Sequence, residues 1–291
     1  MSEASILEER IKRHIEVLAQ DLGERNYIYY QNLEKAADYI RDEFRLYGYE
    51  TEEQIYTLKN QPYRNIIATK PGGDKKDKII IISSHYDSVF GSPGADDNAS
   101  GCAGLLELAR LLFKNTLNKT IRFIGFTNEE PPFCFSKDMG SFRYAESAKK
   151  RKEDIEAMLC LESIGFYSDE KSSQGYPMGL MSFYPDRADF IGIVSNLGSG
   201  SLLKRIVKEF KEASNFPVEY LVSQPFFVPA ISFSDNWSFW QFGYKAVMIT
   251  DTAFYRNPYY HTQKDTIDKL DCRKISLLIN ALHSVILKLG N

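Results

Sequence analysis

The sequence predicts an α/β fold whose central sheet is mixed but mostly parallel. Four consecutive isoleucines, residues 79–82, form an apolar run that leads into a loop rich in glycine and proline. Such a run is typical of a strand that is buried on both faces, inside a sheet covered by helices. From 78 to 165, strand patterns alternate with helix patterns, and this alternation indicates right-handed crossovers between parallel strands.

Helices are expected at both ends of the chain, with strands and further helices between them. Apolar residues at helical spacing predict N-terminal helices within 4–47 and a closing helix over 274–289. Besides the isoleucine run, strands are expected over 51–58, 65–70, 120–127, 157–161 and 245–250, and further helices over 105–112, 144–155, 202–210 and from about 235. The first two strands could pair antiparallel at one edge of the sheet. Because no linker or repeat interrupts the pattern, a single domain over 1–291 is expected.

Composition limits the classes of partner. The 291 residues carry a formal net charge of −3, so neither nucleic acid nor an anionic membrane surface is expected as a partner. No apolar run reaches the ~20 residues of a transmembrane helix, and the first residues do not have the pattern of a signal peptide. The four cysteines show no Cys-x-x-Cys spacing, and we therefore expect a reduced, cytoplasmic protein.

Residues able to bind metal follow the predicted strands. Histidine is scarce: His14 and His283 lie in helix patterns and are expected on the surface, which leaves His85 and His261 as possible ligands. Ligands bind at the carboxyl ends of the strands in open α/β sheets. The groups expected to meet at that edge are His85, Asp87, Asp97, Glu129, Glu130, Glu162 and His261.

The charges of this group favour a pair of cations. Several carboxylates in one cleft raise each other's pKa values unless positive charge is present. Imidazole and carboxylate groups are the ligands of Zn²⁺, and one carboxylate can bridge two metal ions ~3.5–4 Å apart. Each of these short sequence patterns, taken alone, also has an explanation that does not involve a metal. A His-x-Asp pair at a strand end is common, and an Asp-Asp-Asn run before a helix is usually a capping cluster.

Four segments in sequence order resemble the motifs of the two-zinc aminopeptidase family. They are His85-x-Asp87, the run Gly94 to Gly101, Asn128-Glu129-Glu130, and Tyr260-His261-Thr262-x-x-Asp265-Thr266. The resemblance covers about 65 to about 270. It implies a three-layer αβα sandwich of the phosphorylase/hydrolase-like type and two Zn²⁺ ions per chain. Glutamate carboxypeptidase II and, more distantly, the glutaminyl cyclases are related to the same family.

The resemblance also implies the metal ligands. His85 would bind one zinc ion, and His261 and Glu130 would bind the second. The family's bridging aspartate stands three residues before Ser-Gly, which selects Asp97 over Asp96 as the bridge. A further ligand would be Glu162, which stands where the family usually has aspartate but is long enough to reach the metal.

Catalytic roles follow from the same resemblance. Glu129 would be the general base, Asp87 would orient the imidazole of His85, and the hydroxyl of Tyr260 would stabilise the oxyanion. Asp235 is interpreted either as a residue behind the metal ligands or as the cap of the helix that follows it.

The expected function is hydrolysis of N-terminal residues from peptides by a zinc-activated water. An acidic cleft suits the cationic amino terminus of a peptide, and aromatic segments at 133–135 and 226–227 hint at a pocket for the first side chain. Two alternatives remain: a single-zinc acyltransferase similar to glutaminyl cyclase, and a non-catalytic binding module on the same fold.

Overall fold

A computed structural model describes residues 3–291 and shows one eight-stranded mixed sheet. The strands are β1 (Thr51–Leu58), β2 (Gln61–Lys70), β3 (Lys75–His85), β4 (Lys119–Phe126), β5 (Asp154–Glu162), β6 (Ile191–Ser195), β7 (Val218–Val222) and β8 (Ala246–Thr250). Their order in the sheet is β1-β2-β4-β3-β5-β8-β6-β7. The four central strands β4, β3, β5 and β8 are parallel, and antiparallel pairing begins at β2 on one side and at β6 on the other. The mostly parallel sheet and the antiparallel N-terminal edge are thus confirmed.

Helices cover both faces of the sheet and produce three layers. The helices are α1 (Glu3–Ile15), α2 (Tyr30–Leu46), α3 (Gly101–Leu112), α4 (Gly140–Lys150), α5 (Gly200–Ala213), α6 (Asn236–Gln241) and α7 (Cys272–Gly290). Ile80 and Ile82 pack in the core beneath α1, α2, α3, α5 and α7, whereas Ile79 and Ile81 pack beneath α4 and α6. Because side chains alternate along a strand, both faces of β3 need apolar residues, and this explains the isoleucine run.

Some predicted boundaries were wrong. The helix expected over 144–155 begins at Gly140 and ends at Lys150, because Ile155 already pairs with Ile79 in the sheet. The second strand begins at Gln61, since Lys59 and Asn60 form a two-residue hairpin with positive φ angles of 48° and 67°.

Strands β6 and β7 were not predicted at all. Each has only five residues, and Gly192 interrupts the apolar pattern of β6. The apolar run of β8 is equally short but uninterrupted, whereas β6 and β7 each contain a residue that breaks the apolar pattern, Gly192 and Glu219.

His14 is buried, contrary to the expectation of a surface position. Its Nδ1 lies 2.6 Å from the hydroxyl of Tyr39, and its Nε2 lies 3.2 Å from a carboxylate oxygen of Glu107. Glu107 is itself fully buried on α3, and a buried carboxylate requires such partners.

Within residues 3–291, no helix combines the length and hydropathy needed to cross a bilayer.

Candidate metal centre

The carboxyl ends of β3 and β5 carry His85 and Glu162 as their last residues. Both are buried at the same edge of the sheet. The chain turns sharply after β5, where Ser163 has a positive φ of 46°, and after β4, where Asn128 has a φ of 59°. Such backbone is costly for residues other than glycine and is found mainly where a site requires it. These turns bring Glu162 and the Glu129-Glu130 pair close to His85 at the same edge of the sheet.

Asp87 connects the first histidine to the two glutamates. The Nδ1 atom of His85 lies 3.2 Å from the carbonyl oxygen of Asp87 and 3.4 Å from its Oδ1. The same carboxylate accepts the backbone N–H groups of Glu129 and Glu130, at 3.2 and 3.0 Å. One side chain therefore fixes the orientation of an imidazole and the path of the loop after β4.

Two groups of potential ligands share Asp97. One consists of His85, Asp97 and Glu162, the other of Asp97, Glu130 and His261, and the ligand atoms within each group lie within 4.8 Å of one another. The Nε2 atom of His85 is 3.2 Å from Oδ1 of Asp97 and 3.2 Å from Glu162. The Nε2 atom of His261 is 3.0 Å from Oδ2 of Asp97 and 3.5 Å from Glu130. All five predicted ligands thus converge, and Asp97 lies between the two imidazoles.

The neighbouring Asp96 points elsewhere. Its carboxylate accepts the backbone N–H of Gly165 at 2.8 Å and the side-chain amide of Asn257 at 2.7 Å. Asp96 is fully buried, so it holds two other segments of chain together beneath the centre.

The loop that presents Asp97 is held from both sides. Asp265 accepts the backbone N–H groups of Asp96 and Asp97 at 2.9 and 3.2 Å. The buried guanidinium of Arg25 donates to backbone carbonyls on the other side, among them Gly94 at 2.7 Å. Gly94 has a φ of 61°, and a Cβ there would lie 2.3 Å from the carbonyl oxygen of Asp97. Only glycine fits this position.

Glu162 is oriented by residues that the sequence analysis did not assign. Its Oε2 accepts the hydroxyl of Ser234 at 2.6 Å and faces the amide of Asn98 at 3.4 Å, and its Oε1 accepts the hydroxyl of Ser163 at 3.1 Å. In the sequence, Asn98 was marked only by its place in the Asp-Asp-Asn run, and Ser234 only by its place in the run Ser-Asp-Asn at 234–236. No sequence pattern marked Arg25, because it contacts backbone carbonyls, which every residue has.

Asp235 precedes α6, but its side chain makes no capping hydrogen bond. The capping interpretation is therefore wrong. Both carboxylate oxygens are buried without a hydrogen bond to any residue between 3 and 291. Burial raises the pKa of Asp235 to about 7, and the charge of His85 opposes the increase. Asp235 thus lies in the electrostatic neighbourhood of the ligand cluster.

The pKa values of the clustered carboxylates and histidines are shifted in directions that show that the cluster favours positive charge. Burial and then neighbouring carboxylates raise the pKa of Glu130 and of Glu162 to about 7, although the histidines oppose this. Burial acts against the charged forms of Asp97, His85 and His261, but their contacts with one another and with the glutamates outweigh it. The pKa of Asp97 is held well below its usual range, that of His85 is raised well above it, and that of His261 is raised to about 11.

Two buried atoms of the cluster lack any hydrogen bond to the part of the chain that the structure describes. They are Nε2 of His85 and Oδ1 of Asp97, which face each other at 3.2 Å. The imidazole of His85 must be neutral to bind a metal, and both atoms then carry lone pairs, which is unfavourable unless a cation lies between them. The donor set of nitrogen and carboxylate oxygen atoms matches the preference of Zn²⁺.

Glu129 and Tyr260 lie at the open side of the cluster. Glu129 has an Oε2 atom 3.9 Å from Nε2 of His85, and its side chain is 12% exposed, against 4% for Glu130. Burial, opposed by His85 and reinforced by Glu130, raises its pKa. The ring of Tyr260 stacks on the imidazole of His261, with centroids 3.8 Å apart and planes inclined by 14°. Burial and nearby carboxylates raise the pKa of Tyr260 above its ordinary value, so its hydroxyl keeps its proton.

A cleft with a cavity volume of about 100 Å³ opens beside Glu162 and Tyr260. Its walls are mostly apolar and include Tyr176, Tyr184, Phe190, Phe233, Phe254 and Tyr255. The aromatic segments 133–135 and 226–227 do not line this cleft in the described chain. Phe226 and Phe227 are 85% and 71% exposed, and Phe133 packs against Tyr27 and Tyr63.

Residues 65–286 match the peptidase family M28. The chain belongs to that family. This M28 chain is accordingly a peptide hydrolase. It is 36% identical to the uncharacterized protein YfbL of Escherichia coli, over 96% of the chain and 87% of that protein. A probable aminopeptidase of Saccharomyces cerevisiae is 27% identical over 78% of the chain, which spans 57% of the yeast protein's length.

Solved structures share the fold of this M28 chain. A zinc aminopeptidase from Bacillus subtilis superimposes with a TM-score of 0.78 at 17% identity, with 97% of this chain and 95% of the other covered. A Bacteroides thetaiotaomicron glutaminyl cyclase gives a TM-score of 0.70 at 18% identity, with coverages of 98% and 97%. The predicted αβα architecture is therefore confirmed, and these two structures show that it occurs in more than one kind of enzyme.

Proposed function

We propose that the chain is an aminopeptidase that depends on two Zn²⁺ ions. The observation that supports this most strongly is the pair of ligand groups joined through Asp97. His85 and Glu162 would hold one ion, His261 and Glu130 would hold the other, and Asp97 would bridge them. Without cations, these buried carboxylates would repel one another in a site closed to bulk water.

Bound zinc would polarise the carbonyl of the scissile peptide bond and lower the pKa of the attacking water. The remaining roles belong to the protein. Glu129 would accept a proton from the water at its partly exposed carboxylate and pass it to the leaving amine. Tyr260 would donate a hydrogen bond to the oxyanion, because its phenol stays protonated. Asp87 would keep His85 in the tautomer that presents Nε2 to the metal.

The amino end of a peptide is the proposed substrate group because the cleft is acidic near the ligands. Glu162 lines the cleft, and Glu129 lies 3.9 Å from Nε2 of His85 in the same cluster, so these carboxylates can attract a free ammonium group. The sequence similarity to a probable aminopeptidase of Saccharomyces cerevisiae supports the same choice. All candidates for ligand and base are present, which favours an enzyme over a binding module.

The test uses protein loaded with zinc and a set of matched peptides. Release of the first amino acid from a free dipeptide, with no hydrolysis of its N-acetylated form, is the expected result. Metal analysis should give about two zinc ions per chain. Cyclisation of an N-terminal glutaminyl peptide with one bound zinc would favour the cyclase alternative and contradict the proposal.

All four cysteines are free thiols. This supports the expectation of a reducing compartment, and the cytoplasmic location itself stays a prediction, which fractionation of cells that express the protein can test.

A further inference from the structure

The cleft beside the metal centre contains a carboxylate for which the proposed reaction has no use. Glu219 lies on β7 and lines the cleft. No residue between 3 and 291 forms a hydrogen bond or ion pair with its side chain. Burial raises the pKa of Glu219, and the charge of Lys211 opposes the increase. A carboxylate on the wall of a mostly apolar cleft is suited to bind a cationic group of a ligand.

The register of the sheet connects Glu219 to the ligand Glu162. Glu162 is paired with Thr250, Thr250 with Gly192, and Gly192 with Glu219. Residues directly opposite each other in neighbouring strands lie on the same face of the sheet, and all four line the cleft. Three strand spacings of ~4.8 Å place Glu219 roughly 14 Å from Glu162 along this row.

Gly192 keeps the floor between the two carboxylates open. A Cβ at this position would lie 3.2 Å from the carbonyl oxygen of Thr250 and 3.5 Å from the methyl group of Thr252. Any larger side chain would project into the cleft in the middle of the row. A substrate side chain can therefore extend from the metal centre towards Glu219.

The walls near Glu219 are aromatic. The rings of Tyr176 and Tyr184 stack with their centroids 5.6 Å apart, and the hydroxyl of Tyr184 donates to the carbonyl of Tyr220 at 2.9 Å. Burial and the nearby charge of Glu219 raise the pKa of Tyr184, so the ring stays neutral. Aromatic faces pack against methylene groups and attract cations.

Lys211, whose charge opposes the increase in the pKa of Glu219, does not line the cleft. The ammonium group of Lys211 lies 5.6 Å from the centroid of the Tyr220 ring. Tyr220 follows Glu219 in β7, so its side chain lies on the opposite face of the sheet. Lys211 comes from α5, which covers that opposite face. The cleft side of Glu219 remains available to a substrate.

We propose that Glu219 selects peptides with a long cationic first side chain, arginine above lysine. An arginine side chain spans roughly 7 Å from its Cα to its terminal nitrogens, a hydrogen bond adds ~2.9 Å, and the Glu219 side chain itself can lean over the floor. An arginine side chain can thus span the distance from the metal centre to Glu219, whereas a leucine side chain is too short to reach it. This inference rests on the proposed function, because it assumes that the first residue of a peptide occupies the cleft.

The experiment compares arginyl, citrullinyl and leucyl p-nitroanilides with zinc-loaded protein. Citrulline has the shape of arginine without its charge. In Glu219→Gln, the ratio of kcat/KM for the arginyl substrate to that for the leucyl substrate should fall roughly 10- to 100-fold, because a hydrogen bond between charged groups is lost. The control is Glu212→Gln, which removes the same charge from an exposed position on α5. It should leave the ratio as in the parent protein.

Binding provides a readout that needs no turnover. Calorimetry should show that the zinc-loaded parent binds free L-arginine more tightly than L-citrulline, and that Glu219→Gln abolishes the difference. An unchanged arginyl-to-leucyl ratio in Glu219→Gln, or equal binding of arginine and citrulline by the parent, would overturn the inference. If arginine binds in a Glu219-dependent way but no aminoacyl substrate is hydrolysed, the proposed function is wrong and the role of Glu219 stands.

Discussion

At the scale of single residues, Glu129 and Glu130 differ in what they contact although they are adjacent in sequence. Glu130 lies 3.5 Å from Nε2 of His261 and belongs to a ligand group, whereas Glu129 belongs to neither group. Its side chain is also three times as exposed, 12% against 4%. This difference supports a base at 129 and a ligand at 130.

Replacing Glu129 by glutamine should keep the metal and remove most of the activity. An amide cannot accept the proton of the attacking water, so kcat should fall roughly 10²- to 10⁴-fold. The matched variant is Glu130→Gln, which should lose zinc instead. Metal analysis and kcat on a dipeptide, measured on the same preparations, separate the two effects. Turnover of Glu129→Gln at the parent rate would show that another group is the base.

The proposed ligands could be named from the sequence because each follows an apolar strand or lies in a motif. His85, Asp97 and His261 needed no knowledge of long-range contacts to be proposed. The guanidinium of Arg25 donates to the carbonyl of Tyr86, 61 positions away along the chain, and Ser234 donates to Glu162, 72 positions away. No local pattern encodes such contacts, since they exist only after the sheet has formed.

At the scale of elements, the loop from Gly94 to Asp97 depends on Asp265, which binds two successive backbone N–H groups. These hydrogen bonds fix the orientation of Asp97, the proposed shared ligand. The loop and Asp265 are 168 residues apart, so this contact couples the motif after β3 to the motif after β8.

Asp265→Asn should weaken zinc binding. Asparagine has only one acceptor oxygen, and its NH₂ group would oppose one of the two backbone N–H groups. Loss of a residue that orients a ligand lowers metal affinity roughly 10- to 100-fold. The control is Asp268→Asn, an exposed carboxylate in the same segment. Competition with a chelator measures both affinities. A parent-like affinity in Asp265→Asn would contradict the role given to this residue.

The central strands and the β1 edge of the sheet were predictable, whereas β6 and β7 at the opposite edge were not. The isoleucines of β3 need apolar neighbours on both faces, so their sequence identifies them. By contrast, β6 and β7 are short and line the cleft with Gly192 and Glu219, which suit a binding surface rather than a strand pattern. The two strands that were missed are therefore among those that line the cleft.

At the scale of the whole molecule, the buried acids couple stability to pH. In the metal-free protein, folding raises the pKa of Glu130 and Glu162 from 4.5 to about 7 and that of His261 from 6.5 to about 11. The folded state then binds more protons than the unfolded state once the pH exceeds about 4.5. Its free energy of unfolding should consequently decrease as the pH rises through 7.

Thermal unfolding at about pH 5 and about pH 8 tests this linkage. In the presence of a chelator, the Tm should be lower at the higher pH. Zinc should raise the Tm most at the higher pH, because it binds the deprotonated ligands. A metal-free protein whose Tm rises between these two values would contradict the protonation pattern of the site.

Anomalous X-ray scattering at the zinc edge, from crystals of the zinc-loaded protein, locates the bound metal ions directly. Two peaks ~3.5–4 Å apart are expected, one against His85 and Glu162, the other against Glu130 and His261, with Asp97 between them. A single peak, or zinc bound away from Asp97, would contradict this expectation.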